Sequence, residues 1–449
     1  MFRVFIFVAI LATAIQAPTA INAQECSCDT VDVCGECACS ECSCSECSCG
    51  CGLLGDDFWT RPHMFGDWYG VRPCLAQRGI IADLQLTQFY QGVTSGGREQ
   101  RDAYGGKLDY LFTFLSEQMG LWKGGTLLFH AETKFGESIN AEAGAFALPN
   151  TNLLWPLPNQ NDTAITGFLY LQALNERWSV GAGKLNVLDF WTMVYPNVGR
   201  GVDGFMNLNS MAAGLPWLRF VNLSVNAGGV LSMKEKQIEG GFLVFDLNNS
   251  TTTAGLDNLF DDGAGVLGLW RFFTDWNGKP GSHLFAGSYA NRAYTSLDEN
   301  SWFIVPGQGV VAGQETGAWA LGYYFQQVVW ADPCNEARKM QLWTGWGLSD
   351  GNPSFARWNG FISLESYGTF QCREKDRAGV AYFYTGLSDD FRQLVSPVVQ
   401  LEAVQGVELY YNYEVTPWFH LTGDLQFVEN GRETDDTAII LGLRGKIDL

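Results

Sequence analysis

The last thirteen residues, TAIILGLRGKIDL at 437–449, carry the clearest signal of the fold class. One parity of this stretch is apolar and comprises Ile439, Leu441, Leu443, Ile447 and Leu449. The other parity carries the charges of Arg444, Lys446 and Asp448. Such alternation predicts a strand with one apolar and one polar face. A strand that ends a chain leaves an unpaired edge, which in a membrane β-barrel is closed by the first strand.

The composition is compatible with such a barrel. Charged residues make up 17% and aromatic residues 14% of the 449 residues, and there are 52 glycines. Beyond the N-terminus, no run of about 18 apolar residues could form a membrane helix. The apolar residues are therefore interleaved with polar ones, and we predict an all-β, transmembrane antiparallel β-barrel with short periplasmic turns and long extracellular loops.

Four segments follow one another along the chain. Residues 1–23, with Arg3 ahead of an apolar run and small residues, are typical of a secretory signal peptide. Residues 24–57 form a Cys-rich low-complexity segment, and residues 58–78 form a periplasmic lead whose Pro73 and Gly79 predict a short helix from about Arg72 to Arg78. Residues 79–449 form the predicted barrel.

The Cys-rich segment holds ten of the 13 cysteines, between Cys26 and Cys51. It has too few apolar residues to fold alone. In an exported protein we expect these cysteines to form disulfide cross-links to envelope neighbours. Thiolate metal binding and a flexible tether whose cysteines pair haphazardly remain alternatives.

Short motifs along the rest of the chain resemble one family. They are GDWYGVR (66–72), YGGKLD (104–109), GGTLLFHAETKFGESIN (124–140), LNERWSVGAGKLNVLDF (174–190), FMNLNS (205–210), VTPWFHLTGDLQFVENG (415–431) and AIILGLRGKIDL (438–449). In order and spacing they resemble the carbohydrate-selective outer-membrane porins of the OprB type, over about residues 66–449. The resemblance implies a monomeric, sixteen-stranded barrel in the outer membrane of a Gram-negative-type bacterium that conducts sugars.

A strand count made from alternation alone also reaches sixteen. The predicted strands are 79–91, 104–115, 125–136, 163–174, 178–186, 217–226, 238–248, 263–273, 282–292, 317–330, 340–348, 359–370, 378–387, 406–415, 418–428 and 437–449. From the third strand onward, long and short connections alternate, as expected of a bacterial outer-membrane barrel. With both termini on the inner side, the long connections lie on the outer side.

The alternation along each strand predicts which residues face the lumen. They are Lys107, Asp109, His130, Glu132, Lys134, Glu408, Asp424, Arg444 and Lys446. The long connection 187–216 contains Asp189, Trp191, Arg200 and Asp203, and we interpret it either as an inward-folded constriction or as a loop packed over the barrel mouth. For each of these residues taken singly, the alternative is a position on the lumen wall that contacts no solute.

The two remaining cysteines of interest lie in predicted short turns at the ends of neighbouring hairpins. Because Cys334 and Cys372 share the inner rim, a disulfide between them is one hypothesis, and two unrelated thiols are the other.

The predicted function is diffusion of carbohydrates and other small polar solutes through a water-filled lumen of mixed charge. The net charge of −20 argues against nucleic acid. The partners expected are sugars and outer-membrane lipids. The four histidines lack catalytic or metal-binding motifs, so we predict no enzyme, no cofactor and no metal. The alternative is a structural, disulfide-cross-linked envelope protein with an incidental general-diffusion pore.

Overall fold

The computed structural model describes residues 57–154, 163–307, 309–370 and 373–449, and this part of the chain contains a closed antiparallel β-barrel. The barrel strands are β1 Ile80–Ser95, β2 Asp102–Leu115, β3 Gly125–Gly136, β4 Thr163–Ala173, β5 Trp178–Asn186, β6 Ser224–Lys234, β7 Gln237–Asp246, β8 Ala264–Trp276, β9 Lys279–Thr295, β12 Gln314–Asp332, β13 Asn335–Ser349, β14 Ala356–Tyr367, β15 Arg377–Leu387, β16 Val404–Thr416, β17 Phe419–Glu429 and β18 Ala438–Asp448. The predicted sixteen-stranded barrel is confirmed.

Shorter elements lie in the connections. A two-stranded hairpin, β10 Phe303–Val305 and β11 Gly309–Val311, follows β9. The α-helices are α1 Val71–Gln77, α2 Asn140–Ala143, α3 Val187–Val194, α4 Leu208–Met211 and α5 Asp389–Val395, and 3₁₀ turns span Leu215–Trp217 and Glu299–Ser301. None of the helices in the described ranges is long or apolar enough to cross a bilayer.

The last strand closes the barrel on the first. β18 pairs with β1 from Gln85↔Asp448 to Ser95↔Ile439, and on its other side it pairs with β17. This satisfies the backbone groups of both edges, which lipid cannot do. Leu441 and Leu443 of β18 are exposed on the outer surface, while Arg444 is fully buried inside.

The N-terminal lead, residues 58–78, covers one end of the β1–β18 seam, at the rim of the barrel that carries the short turns. Met64 N donates to Asp448 O over 2.7 Å, and an Arg72 guanidinium nitrogen donates to Leu449 O over 2.6 Å. Trp418 Nε1 in turn donates to Phe58 O over 2.8 Å. Ile447 has the parity of the lipid face, but it is buried with Trp418 in a small apolar cluster that includes lead residues.

The sixth strand differs from its prediction. It spans Ser224–Lys234 and not 217–226, so the preceding connection runs from residue 187 to residue 223. Residues 217–223 are apolar because they pack inside the barrel against the wall, with Phe220 and Leu223 nearly inaccessible to solvent. The prediction that residues 217–223 begin the sixth strand, which was based on their apolar character, is therefore wrong.

The interior of the barrel is divided into two halves. Along β5–β9, β12 and β13, inward-facing residues such as Leu185, Leu243, Leu284, Tyr324 and Trp343 form an apolar wall that packs against the connection 187–223. On β1–β3 and β14–β18 the inward side chains are mostly polar or charged, and most of those charges are paired. We call these the apolar half and the polar half of the lumen.

The seam offers a test of barrel closure at Gly96, in the turn after β1. Gly96 has φ +62°, and a Cβ added there would lie 2.1 Å from Thr437 O in the connection before β18. Gly120, with φ +74°, has no heavy atom within 4 Å of its added Cβ. We expect Gly120→Ala to cost about 1 kcal/mol of backbone strain, and Gly96→Ala about 1–3 kcal/mol more because the backbone of the seam must move. Urea unfolding of both variants in lipid vesicles measures the difference, and equal midpoints would contradict it.

Candidate functional site

The connection 187–223, which we call the inward loop, enters the barrel and contacts both halves of the lumen. Helix α3 begins it, and Asn186 at the end of β5 caps this helix by accepting hydrogen bonds from Leu188 N and Asp189 N, at 3.0 and 3.4 Å. The Asn186 amide also donates to Glu132 Oε2 at 3.2 Å and to Thr166 Oγ1 at 3.0 Å. One side chain therefore fixes the helix start and ties it to the barrel wall.

Six side chains from the wall and the inward loop form a compact group, which we call the charged cluster. Its members are Lys107 and Asp109 from β2, His130 and Glu132 from β3, and Asp189 and Arg200 from the inward loop. The Lys107 ammonium lies 2.5 Å from Glu132 Oε1 and 3.9 Å from Asp109 Oδ1. In the pairing of β2 with β3, Lys107 lies opposite Lys134 and Asp109 lies opposite Glu132, and all four side chains point into the lumen. Lys107 therefore reaches Glu132 diagonally across the two strands.

His130 lies at the centre of the charged cluster, between two carboxylates. Its Nε2 is 2.9 Å from Asp109 Oδ1, and its Nδ1 is 2.7 Å from Asp189 Oδ2. A doubly protonated imidazole satisfies both oxygens as a donor. The arrangement joins the wall to helix α3 through a charge-assisted pair of hydrogen bonds.

Arg200 completes the charged cluster from the far part of the inward loop. Its Nη1 lies 3.2 Å from Asp189 Oδ1, and its Nη2 donates to Gln85 Oε1 of β1 at 3.0 Å. Burial raises the pKa of the Asp189 carboxyl, but the positive charges of His130 and Arg200 together outweigh it and hold the pKa below its usual value. A cavity of about 320 Å³ lies beside these groups and is also lined by Lys184.

The charged cluster contains a set of groups that could ligate a metal ion. One ligand atom from each of Asp109, His130 and Glu132 lies within 4.8 Å of the others. Lys107 and Arg200 already place positive charge against these carboxylates, with Arg200 Nη1 3.9 Å from Asp109 Oδ1. The chain supplies its own cations here, and we assign no metal to the cluster.

The far end of the inward loop is fastened to the wall of β16–β18. Arg444 is fully buried, and its Nη1 donates to Gly201 O and Gly204 O, each at 2.9 Å. Lys446 Nζ lies 2.9 Å from Asp203 Oδ1, and Asn412 Nδ2 donates to Asp203 O at 3.2 Å. Partial burial raises the pKa of the Asp203 carboxyl, but the charges of Lys446 and Arg444 outweigh it and hold the pKa below its usual value.

Glu408 of β16 fastens the next residues of the inward loop. Its Oε1 accepts from Met206 N at 2.5 Å and from Asn207 N at 3.3 Å, and the residue is fully buried. The Asn207 side chain donates to Gln426 Oε1 of β17 at 2.9 Å. Two backbone N–H groups that would otherwise be buried without a partner are satisfied by one carboxyl group.

The structure places the predicted lumen residues as follows. Lys107, Asp109, His130, Glu132, Asp189 and Arg200 are brought together, and Glu408, Arg444, Lys446 and Asp203 form the second fastening. Lys134 lies nearby and donates to Leu153 O at 2.9 Å, and Asp424 accepts from Gln426 at 2.8 Å. Trp191 lies apart from both groups, because its ring packs on Tyr324 and Trp343 in the apolar half.

The structure also adds residues that the sequence prediction missed. They include Gln85 and Asn186, together with Glu365 and Arg377, which pair at 2.6 Å behind Gly204 of the inward loop. Strand parity was a signal for Gln85 and Glu365, whereas Arg377 lies one residue before the predicted strand 378–387. The signal for Asn186 was its place before an apolar helix, where asparagine is a preferred N-cap.

The cysteine predictions stay untested. Cys74 and Cys334 are exposed, but Cys372 lies outside the described residues, as does the whole segment from Cys26 to Cys51. The Cys334–Cys372 disulfide and the envelope cross-links therefore remain predictions. Mass mapping of alkylated thiols in the oxidised protein tests both.

A closed sixteen-stranded barrel with a long loop folded into a charged lumen defines a porin. The sequence profile described as carbohydrate-selective porin, OprB family, matches residues 99–449. The chain belongs to that family, which indicates an outer-membrane channel and not an enzyme.

Comparison with solved structures agrees on the fold. The high-pH structure of Pseudomonas putida OprB has a TM-score of 0.73 at 17% identity, covering 87% of this chain and 99% of that one. The low-pH structure of the same protein has a TM-score of 0.52 at 14% identity, with the same coverage. No curated protein sequence matches the chain.

Glu408 provides a test of how the inward loop is held. Glu408→Gln replaces the Oε2 acceptor of Asn207 N with an NH₂ group, so one hydrogen bond of about 0.5–1.5 kcal/mol is lost. We expect a looser loop, seen as greater open-channel current noise and faster proteolysis within residues 187–223.

The matched control is Glu414→Gln, on the same face of the same strand. The Glu414 carboxyl group lies 3.9 Å from His420, near the short turn after β16, and accepts no hydrogen bond from Met206 N or Asn207 N. This variant is expected to keep the quiet current of the parent protein. If both variants behave alike, the Glu408 carboxylate does not hold the loop.

Proposed function

We propose that the protein lets small uncharged carbohydrates and other small polar solutes diffuse across the outer membrane through the polar half of the lumen. The observation that carries the proposal is the pairing of charges along this half. Lys107 with Glu132, Arg200 with Asp189, Lys446 with Asp203 and Arg377 with Glu365 are each within 3.2 Å. Neither sign of charge dominates the wall.

Paired charges suit a neutral, hydroxyl-rich solute. Charged groups form stronger hydrogen bonds than neutral ones, and Asp189 and Asp203 keep 27% and 38% of their side chains exposed beside their cationic partners. A pore that favours anions or cations would instead present one sign of charge along its narrow section. The inward loop supplies three of these eight groups, Asp189, Arg200 and Asp203, so the residues that narrow the lumen also contribute to its polarity.

The remaining parts of the proposal concern the chain's surroundings. A signal peptide at residues 1–23 would export it, and the lead at the short-turn end would face the periplasm. The barrel itself is proposed to be a monomer. No contact among the described residues and no comparison supports the structural, cross-linked envelope role.

The proposed function is tested by swelling of proteoliposomes in isosmotic solutes. We expect glucose to enter faster than a disaccharide, because the inward loop narrows the lumen, and faster than a gluconate salt of similar size, because the wall offers no net charge to attract an anion. Protein-free vesicles set the baseline. Entry ordered by size alone, with gluconate equal to glucose, would reduce the pore to general diffusion.

Arg200 offers a test of charge balance in the lumen. Arg200→Gln keeps a donor toward Gln85 but leaves Asp189 and Asp109 with less positive charge beside them. We expect the ratio of cation to anion permeability to rise by a factor of about 2–5, since one uncompensated, partly screened charge contributes about 0.5–1 kcal/mol. Reversal potentials across planar bilayers in a KCl gradient measure this ratio.

The control for Arg200 is Arg292→Gln. Arg292 is exposed at the long-loop end of β9 and pairs with Asp262 at 3.0 Å. Removing this charge alters the net charge equally but leaves the charged cluster intact. An equal shift in both variants would mean that the overall charge, and not the charged cluster, determines ion preference.

A further inference from the structure

A second connection, the one that follows β3, also enters the barrel from the long-loop end. We call its residues 143–154, AGAFALPNTNLL, the outer segment. Asn150 and Asn152 in this segment are fully buried, and Thr151 and Leu153 are nearly so. The outer segment therefore fills part of the lumen and does not stand in solvent above the barrel mouth.

The outer segment is bonded to the polar half on the outer side of the charged cluster. Asn150 Nδ2 donates to Gln91 Oε1 at 2.6 Å, and Gln426 Nε2 donates to Pro149 O at 3.0 Å. Gln91 lies nearer to the outer end of β1 than Gln85, the residue of β1 that the charged cluster reaches. A solute that enters the polar half from outside therefore meets the outer segment before the charged cluster.

Three apolar side chains meet next to these hydrogen bonds. Phe89 of β1, Leu153 of the outer segment and Met206 of the inward loop form a cluster of their own, in which no side chain is more than 3% exposed. Thr151 Oγ1 and Thr151 N both donate to Met206 O at 2.8 Å. The barrel wall, the outer segment and the inward loop are therefore joined by an apolar contact that leaves almost no surface to water.

The charged cluster is covered on its outer side and open on its inner side. Lys107 and Asp109 are at most 1% exposed, whereas Asp189 lines the cavity of about 320 Å³. Thr113 and Leu128 also line this cavity, and they lie nearer to the short-turn ends of β2 and β3 than the charged cluster does. The cavity is therefore on the inner side, and the outer segment separates the cluster from the long-loop end.

The outer segment can leave its place without exposing a charge of its own, because none of its twelve residues is charged. Its bonds to Gln91, Gln426 and Met206 are neutral, and the net contribution of such bonds is modest because water replaces them. The inward loop is held differently, by the ion pairs of Asp189 and Asp203. The outer segment is therefore the part that can move while the inward loop stays in position.

We propose that the outer segment is a gate. In the closed state, which the structure represents, Leu153 packs on Phe89 and Met206 and shuts the polar half above the charged cluster. An apolar constriction stops ions as well as larger solutes, because water leaves it. The proposal goes beyond solute diffusion, and it rests on the proposed function only in taking the polar half as the path.

The test is the current through single channels in planar bilayers, recorded in KCl without sugar. We expect the wild-type protein to alternate between a conducting state and long closures, which gives a ratio of open to closed time. In Leu153→Ala this ratio is expected to rise roughly thirtyfold, because truncation of a buried leucine weakens the closed state and not the open one.

The matched control is Leu154→Ala, the same truncation at the next position. The Leu154 side chain is half-buried and is not part of the contact with Phe89 and Met206, so we expect a ratio within roughly twofold of the wild type. A second variant, Thr151→Val, keeps the side-chain volume but loses the Oγ1 bond to Met206 O. It should raise the ratio roughly fivefold, and it provides the test if Leu153→Ala does not fold.

The proposal is overturned if the wild-type channel conducts steadily without closures. It is also overturned if neither Leu153→Ala nor Thr151→Val raises the ratio above that of Leu154→Ala, because the contact would then close nothing. The readout is separate from that of the proposed function. Gating as expected in KCl, together with no entry of sugars in the swelling assay, would refute the proposed solutes and support the gate.

Discussion

The structure depends on one constraint: every backbone hydrogen bond of a lipid-facing strand must be made within the protein. The pairing of β18 with β1 meets this constraint at the seam. It also sets the register of β18, and a slip by one residue would turn Arg444 and Lys446 outward to lipid. Because these two side chains fasten the inward loop, the geometry of the lumen follows from how the barrel closes.

The inward loop has two faces with different chemistry, and each matches the half of the lumen that it meets. Its apolar residues, such as Phe190 and Met211, pack against the wall of β5–β9. Its charged residues, Asp189, Arg200 and Asp203, meet partners on β2, β3 and β18. Hydrophobic burial on one side holds the loop against the barrel, while directional ion pairs on the other fix where the charges point.

Much of this arrangement could be predicted from alternation. In strands β2, β3 and β16–β18 one face is apolar and the other polar, so parity alone placed Lys107, His130 and Arg444 inside. Alternation fails where both faces of a strand are apolar, as in β6 and β7, whose inward residues meet the loop instead of water. The same packing makes residues 217–223 as apolar as a strand, which explains the misplaced sixth strand.

The path of the inward loop through the lumen could not be predicted from the sequence either. Its contacts join residues far apart in sequence, such as Arg200 with Gln85 and Met206 with Glu408, and no local pattern records such pairs. The sequence left two interpretations of this connection open, and the contacts with β1 and β16–β18 select the inward one. Trp191 belonged to the same candidate set, but it packs with aromatic residues of the apolar half.

The docking of the lead onto the seam has a mechanical consequence. The described chain begins at Asp57, and within a few residues it is bonded to the end of β18 and to Trp418. Any load applied to the preceding residues is therefore shared between β1, to which the lead is covalently joined, and the closing strand, which Met64 and Arg72 hold by hydrogen bonds at the rim. Along that strand the load acts in shear across two full ladders of hydrogen bonds, which must break together and not one at a time. A pull along the axis of these strands from this rim would load the barrel in its strongest direction.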